Sequence, residues 1–299
     1  MKTKDRELTI FTPGLSSQSL NMDYYEINNM IVSGLTGSGK DTALTAVVKS
    51  MIESNKVGKF SYVYIDGMDT HNPLANSGRI TPYKELQLAL GYGLPLLEVY
   101  QMLVNLCTVV GTKCEGTDTD PKLVDGTLVV IINNFGAMPE YLQLLVRYLM
   151  KWTVSSSEMK VIVACQPSEC TRDMLENAPY RLCTRLVEEE SNRLLGCNIA
   201  ARRADKYGTA WFYNIEEPDK YTKHVVNYTP DSLLNRMMKT YASGKPSNCR
   251  IVHKYRVLEC CEFDKDLRAV LNDLFDVDAY AAYEDLLGAI DKEVSKYDK

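Results

Sequence analysis

The chain has 299 residues, 45% of them hydrophobic, which is enough for one large domain plus an appendage or for two small domains with a core that folds unaided. The nine cysteines, an odd number with no Cys-x-x-Cys spacing, and three scattered histidines argue against a disulfide framework, a zinc ribbon and a histidine-rich metal site, and they favour a reducing cytoplasm. Net charge is −5 but uneven: from Val257 onward there are 5 basic and 12 acidic residues, and the near-neutral remainder carries no strong basic field of the kind that marks a nucleic-acid binder.

In chain order, Met1 to Phe11 is charged, and no window approaches the ~20 apolar residues of a membrane span, so a soluble cytoplasmic protein is expected. Met30-Ile31-Val32 reads as a strand, followed by Gly34-Leu35-Thr36-Gly37-Ser38-Gly39-Lys40-Asp41-Thr42 and a helical run from Ala43. A strand feeding a glycine loop that opens a helix is built to hold polyphosphate, with backbone N–H groups around the phosphates and the lysine on the outer ones. Gly34, Thr36, Gly37, Ser38, Gly39, Lys40, Asp41 and Thr42 are therefore the candidate nucleotide-binding residues. The strict pattern puts Ser or Thr after the lysine as a Mg²⁺ ligand; here Asp41 stands there, and Thr42 follows one place later.

Phe60 to Ile65 is a second strand, closed by Asp66-Gly67. Pro95 opens an apolar helical stretch to about Val110, and Gly111 to Gly126 is a polar loop. Thr127 to Ile132 and Val161 to Cys165 are continuous apolar strands of the sort buried on both faces, with a helix over 139 to 152 between them. Arg181 to Val187 and Thr209 to Tyr213 are later strands. The alternation predicts an α/β fold, a mainly parallel sheet covered by helices on both faces with its ligand at the strands' carboxyl ends. Residues 1–256 form that domain, and 257–299 form an acidic α-helical tail, whose two short amphipathic helices carry Phe263, Leu267, Val270 and Leu274, then Tyr280, Tyr283, Leu287, Ile290 and Val294.

A hydrolysing P-loop enzyme needs an acid at the end of the strand that organises Mg²⁺, and a group that activates water. The strand from Thr127 ends instead in Asn133-Asn134. Carboxamides carry no charge and cannot take a proton from water, so hydrolysis is expected to be slow or absent. Asp41 and Asp66 are the substitute carboxylates; with Thr42 and Asn133 they make the candidate metal set, and Asn134 marks the water-activating position. In an alternative reading, residues 128–132 are a core strand only, with the acids elsewhere.

From about Asn29 to Tyr213, roughly two thirds of the chain, these motifs resemble the motor domain of the FtsK/SpoIIIE/HerA group of DNA-pumping ATPases. Ile31 to Asp41 matches the group's phosphate loop, and Ile65-Asp66-Gly67-Met68 resembles its Ile-Asp-Pro-Lys strand end. Val130 to Ala137 resembles its metal strand Val-Val-Ile-Asp-Glu-Phe/Leu-Ala-Asp, with both acids replaced by amides. Val161 to Pro167 resembles Ile-x-Ala-Thr-Gln-Arg-Pro, and Asn177 to Arg181, Asn192 to Leu195 and Lys206 to Trp211 resemble the later motifs in order.

The resemblance implies a RecA-like P-loop NTPase fold, ATP and Mg²⁺ as cofactors, Gln166 as a polar sensor beside the γ-phosphate, and Arg181 or Arg193 as the arginine that reaches a neighbouring subunit's nucleotide. It also implies a ring hexamer around double-stranded DNA, with Arg202, Arg203 and Lys206 as the local basic cluster. The expected function is an ATP-binding component of DNA translocation, conjugative transfer, packaging or chromosome partition, with the acidic tail docking on the body or on a protein partner. A non-catalytic, nucleotide-gated subunit of a larger ATPase assembly is the alternative. A nucleoside monophosphate kinase, in which Gly-Lys-Asp-Thr also occurs, is ranked below both.

Overall fold

The computed structural model describes residues 7–11, 19–23, 27–54, 60–68, 103, 106–107, 127–156, 158–201, 208–218 and 220–226. Strands β1 (Glu7–Phe11) and β2 (Leu20–Asp23) form an antiparallel pair. They are followed by β3 (Met30–Ser33), α1 (Lys40–Ser54) and β4 (Phe60–Asp66). Next come β5 (Thr127–Asn133), α2 (Glu140–Thr153), β6 (Met159–Cys165), α3 (Arg172–Glu176) and β7 (Tyr180–Cys183). The described elements end with α4 (Glu188–Leu195), β8 (Thr209–Asn214) and β9 (Tyr221–Val225).

Seven strands form one sheet in the order β4-β5-β6-β3-β7-β8-β9. The first five run parallel, and β8 and β9 close the sheet antiparallel. All seven residues of β5 and of β6 are buried, which is why they read as unbroken apolar runs. Alternate side chains divide between two cores. Leu128, Val130, Ile132, Val161 and Val163 pack with Leu142, Leu145, Val146 and Leu149 of α2 on one face. Val129, Ile131, Ile162 and Ala164 pack with Ala43, Leu44, Val47 and Met51 of α1 on the other, beside Ile10 and Phe11 of β1. The sheet is thus covered on both sides, as expected.

The strand expected over Arg181 to Val187 ends at Cys183, because its partner β3 stops at Ser33, which accepts the Thr184 N–H, and beyond it the Thr184 hydroxyl and the Arg185 carbonyl meet the glycine loop instead of a strand. The hairpin β1–β2, strand β9 and the short helices α3 and α4 are additions to the sequence reading; elements of four to eight residues are too short to show a clear period. Of the helix expected from Pro95 to Val110, only Leu103, Leu106 and Cys107 are described, and all three are buried in the α2-side core. The polar loop 111–126, the basic cluster Arg202, Arg203 and Lys206, and the acidic tail 257–299 lie outside the described residues.

Candidate nucleotide-binding site

Strand β3 ends at Ser33, and the glycine loop runs from its carboxyl end into α1, between the ends of β6 and β7. The loop is pinned from the β7 side. Leu35 N–H donates to Arg185 O at 3.1 Å, Thr184 N–H donates to Ser33 O at 2.9 Å, and the Ser38 and Thr184 hydroxyls share a hydrogen bond of 2.6 Å. Only glycine fits at position 34, since a Cβ there would lie 1.8 Å from Thr184 Oγ1 and 2.6 Å from Ser38 Oγ. Gly37 and Gly39 hold the left-handed conformation at φ 75° and 91° and turn the chain into the helix. Thr36 and Gly37 form the exposed crest.

The helical ladder begins with Ala43 N–H to Gly39 O at 2.9 Å, so the N–H groups of Lys40 to Thr42 precede it and face out of the helix end. With the positive end of the helix dipole, they make an anion cradle beside the Lys40 ammonium. The Ser38 hydroxyl shares its hydrogen bond with Thr184 and braces the loop.

Beside Lys40 lies a cluster of carboxylates and amides. Lys40 Nζ is 3.9 Å from Asp41 Oδ1. Desolvation holds the Asp41 carboxyl above its ordinary pKa; Lys40 pulls it back, and the negative charge of Asp66 adds to the rise. That repulsion puts Asp41 and Asp66 in one electrostatic neighbourhood. Asp66 is buried at the end of β4, in register with Asn133 at the end of β5. It accepts Asn134 Nδ2–H at 2.8 Å, Asn133 Nδ2–H at 3.3 Å and Met68 N–H at 3.1 Å. The amide pair is therefore turned toward a carboxylate one strand away. Asn134 takes up the left-handed conformation, φ 51° and ψ 46°, that Asn tolerates better than other non-glycine residues.

A further carboxylate enters from β6. Beyond Cys165 the chain makes a short 3-10 turn, Pro167–Glu169, in which Glu169 Oε2 accepts the N–H of Gln166 at 2.7 Å. Its other oxygen occupies the space above Gly136, where a Cβ would lie 1.9 Å from Glu169 Oε1. Glu169 thus joins the Gln166 turn to the turn that follows Asn134. The Gln166 side chain is exposed at the carboxyl end of β6, next to the phosphate-loop strand. The chain carried a signal for this arrangement in the Gln-x-x-Glu spacing of a capping box, but sequence reasoning passed over Glu169, as it did Thr184.

The two arginines named in the sequence both bond within the domain. Arg181 on β7 is buried, donates to Leu194 O at 2.6 Å and Leu175 O at 3.0 Å, and lies over the Tyr213 ring; burial lowers its pKa. Arg193 on α4 donates to Cys170 O at 2.7 Å, to Pro167 O, and through two nitrogens to Glu190 Oε2 at 2.6 and 2.8 Å. Within this chain, both tie segments of the domain together through backbone carbonyls. Arg193 clamps the turn that carries Gln166.

Gly208, from the last of the matched motifs, approaches the phosphate loop, with its Cα 4.0 Å from where a Cβ on Gly39 would stand. Among the described residues, no group of three or more His, Cys, Asp and Glu side chains gathers as a metal cage. The donors present are oxygens, as Mg²⁺ prefers: the carboxylates of Asp41 and Asp66, the Thr42 hydroxyl, and Asn133 Oδ1, which is buried with no hydrogen-bond partner among the described residues. Such a sparse set suits an ion that keeps its waters and leans on substrate phosphates.

No protein-family model matches the sequence, and no curated protein matches it. Among solved structures, the cytoplasmic domain of the type VII secretion ATPase EccC from Thermomonospora curvata aligns at TM-score 0.54 and 17% identity, over 81% of this chain and 32% of that one. ATPases 2 and 3 of the same protein, in complex with a signal sequence peptide, align at TM-score 0.52 and 12% identity over 80% of this chain and 47% of that one. The monomer form of the pCW3 conjugation coupling protein TcpA with ATPγS gives TM-score 0.49 and 15% identity, over 80% and 71%. This chain therefore spans a third to a half of the EccC structures it matches. No helix among its described residues is long and apolar enough to cross a membrane. In its seven-stranded, mainly parallel sheet and the glycine loop that follows β3, the chain shares the α/β fold of these EccC ATPase structures.

Proposed function

We propose that this chain binds ATP at the loop around Lys40 and works on double-stranded DNA in translocation, conjugative transfer, packaging or chromosome partition, with weak intrinsic hydrolysis. The observation that carries the last point is the pair of amides at the end of β5, both donating to Asp66. In this reading the N–H groups ahead of Ala43 hold the phosphates, and Lys40 neutralises the outer ones. Asp41, Thr42, Asp66 and Asn133 would hold Mg²⁺, which supplies charge neutralisation between phosphates when bound. Asn134 can orient water but cannot accept its proton. The exposed amide of Gln166 is the sensor, on a turn whose backbone is held by Glu169 and Arg193.

ATP affinity and hydrolysis, measured with and without duplex DNA, test this reading alongside Lys40→Ala. The wild-type chain binds ATP, and Lys40→Ala loses that binding. Rapid DNA-stimulated turnover that survives replacement of both Asp41 and Asp66 overturns the impaired engine. The same amides favour a second reading, a nucleotide-gated subunit in a homo-oligomeric ring or beside a catalytic ATPase. Mass measurement with and without ATP separates the two; unchanged oligomer state and stability sink the second. The tail from 257 onward is assigned to a protein partner or to the body, tested by deleting it and measuring assembly.

A further inference from the structure

Directly behind the Gln166 turn, two thiols touch. Cys165 ends β6 and Cys170 follows the 3-10 turn; their sulfurs are 3.2 Å apart, and both residues are buried. Cys170 Sγ also lies 3.5 Å from Gln166 O and 3.7 Å from Ser33 Oγ, while Ser33 donates to Cys165 O at 3.1 Å. Ser33 is the last residue of β3, where the phosphate loop begins. A contraction of about 1.2 Å would bring the sulfurs to disulfide length. Among the described residues the other thiols are less well placed: Cys183 lies across β3 from Cys165, with Ser33 between them in the sheet register, Cys197 lies beyond α4, and Cys107 packs against Leu145 O of α2.

We propose that Cys165 and Cys170 form a reversible disulfide on exposure to a hydroperoxide, and that this bond switches the nucleotide site by pulling Cys170 away from Ser33 and locking the Gln166 turn. The second half rests on the ATP-binding reading; the first does not. Cys170 is the attacking sulfur. The Cys165 contact, then Ser33 and the Arg193 charge, hold its thiol below the ordinary range despite burial, whereas Cys165 is pushed up. The Cys170 thiolate attacks one peroxide oxygen, the O–O bond breaks, and hydroxide leaves to give the sulfenic acid. Cys165 sulfur then attacks Cys170 sulfur, its proton goes to the departing hydroxide, and the S–S bond replaces S–O. The first hydroxide takes up the proton that Cys170 released on ionising, so two thiols are oxidised and, with hydrogen peroxide, one peroxide is reduced to two waters.

The test treats the full chain with hydrogen peroxide, quenches with catalase, alkylates, and maps peptides, with ATP affinity measured in parallel on wild type, Cys165→Ser and Cys170→Ser. We expect a Cys165–Cys170 cross-linked peptide, reversed by dithiothreitol, and ATP affinity that falls by roughly fivefold or more on oxidation of the wild type alone. Pairing of Cys170 with Cys183, or oxidation of Cys197 while Cys165 and Cys170 stay reduced, overturns the dithiol. A mapped disulfide with unchanged ATP affinity overturns the switch. If the reduced chain fails to bind ATP, the functional reading falls and the switch with it, while peptide mapping of the wild type still decides whether the disulfide forms. Should a serine variant not fold, the wild-type map, its dithiothreitol reversal and the wild-type ATP affinity before and after oxidation decide both halves of the proposal.

Discussion

Asn134 donates its Nδ2–H to Asp66 Oδ1 at 2.8 Å, tying the end of β5 to the end of β4. The motif that this segment resembles carries charge on β5; here the β5 side chains are amides that donate to a carboxylate one strand over. Gly67 makes this close approach feasible, since a Cβ there would lie 2.2 Å from Asn134 O. Asp66 stands where the resembled pattern also has an acid, so what this chain lacks is the second carboxylate, at the end of β5.

Asp66→Asn leaves an amide facing two amide donors and the Met68 N–H, so we expect a loss of about 1–3 kcal/mol in urea unfolding. Adding Asn134→Asp restores one acceptor to the pair, in a residue type that also tolerates the left-handed backbone. The double variant should recover part of that stability and hydrolyse ATP faster than wild type. Turnover equal to wild type in the double variant would show that charge on β5 is not what hydrolysis lacks.

Gly136→Ala forces a methyl group into the space of the Glu169 carboxylate. The expected cost is about 1–3 kcal/mol, and it should largely vanish when Glu169→Ala is made in the same chain. A double-mutant cycle by thermal or urea unfolding measures the coupling; additive costs would mean that the two turns are held together by something else.

Thr184→Val removes the partner of a buried serine hydroxyl at the base of the phosphate loop. We expect about 1–2 kcal/mol of lost stability and a parallel fall in ATP affinity, both read by calorimetry. Ser38→Ala paired with Thr184→Val should cost less than the two changes summed, because neither hydroxyl is then left alone.

Lys160, at the other end of the sheet, is buried against the last turn of α2, donating to Thr153 O and Val154 O at 3.0 Å and Asn28 Oδ1 at 3.3 Å. Burial pushes its pKa down from 10.5 to about 8. Above pH 8 the folded chain releases this proton first, while the unfolded chain holds it to about 10.4, so the unfolded state binds more protons and this group's contribution to stability rises with pH across that window. Below pH 8 the contribution is flat. Lys160→Met should remove this component of the slope in urea midpoints measured from about pH 7 to about pH 10.

Periodicity and motif spacing carried the sequence reading as far as local order extends. The unbroken apolar runs at Thr127 and Val161 named their strands, and the glycines before Lys40 named the loop, because both signals lie within a few consecutive residues. The strand at Arg181 was found but drawn too long, since nothing local to it says that its partner β3 stops at Ser33. Asn133 and Asn134 were legible as amides, but their partner was not, because Asp66 is 68 residues from Asn134 in the chain and meets it only through sheet register.

By itself, then, the sequence determined a parallel α/β architecture, a phosphate loop at Lys40, and the absence of acids from the end of β5, all properties of residue type and near-neighbour spacing. Tertiary structure alone decided that Arg181 and Arg193 donate to carbonyls of their own domain, that Glu169 fills the space above Gly136, that Asp66 receives both amides, and that Cys165 meets Cys170 under the Gln166 turn. Those outcomes depend on which strand ends come to lie side by side. That order is set by the packing of two cores on one sheet, which no short window of residues encodes.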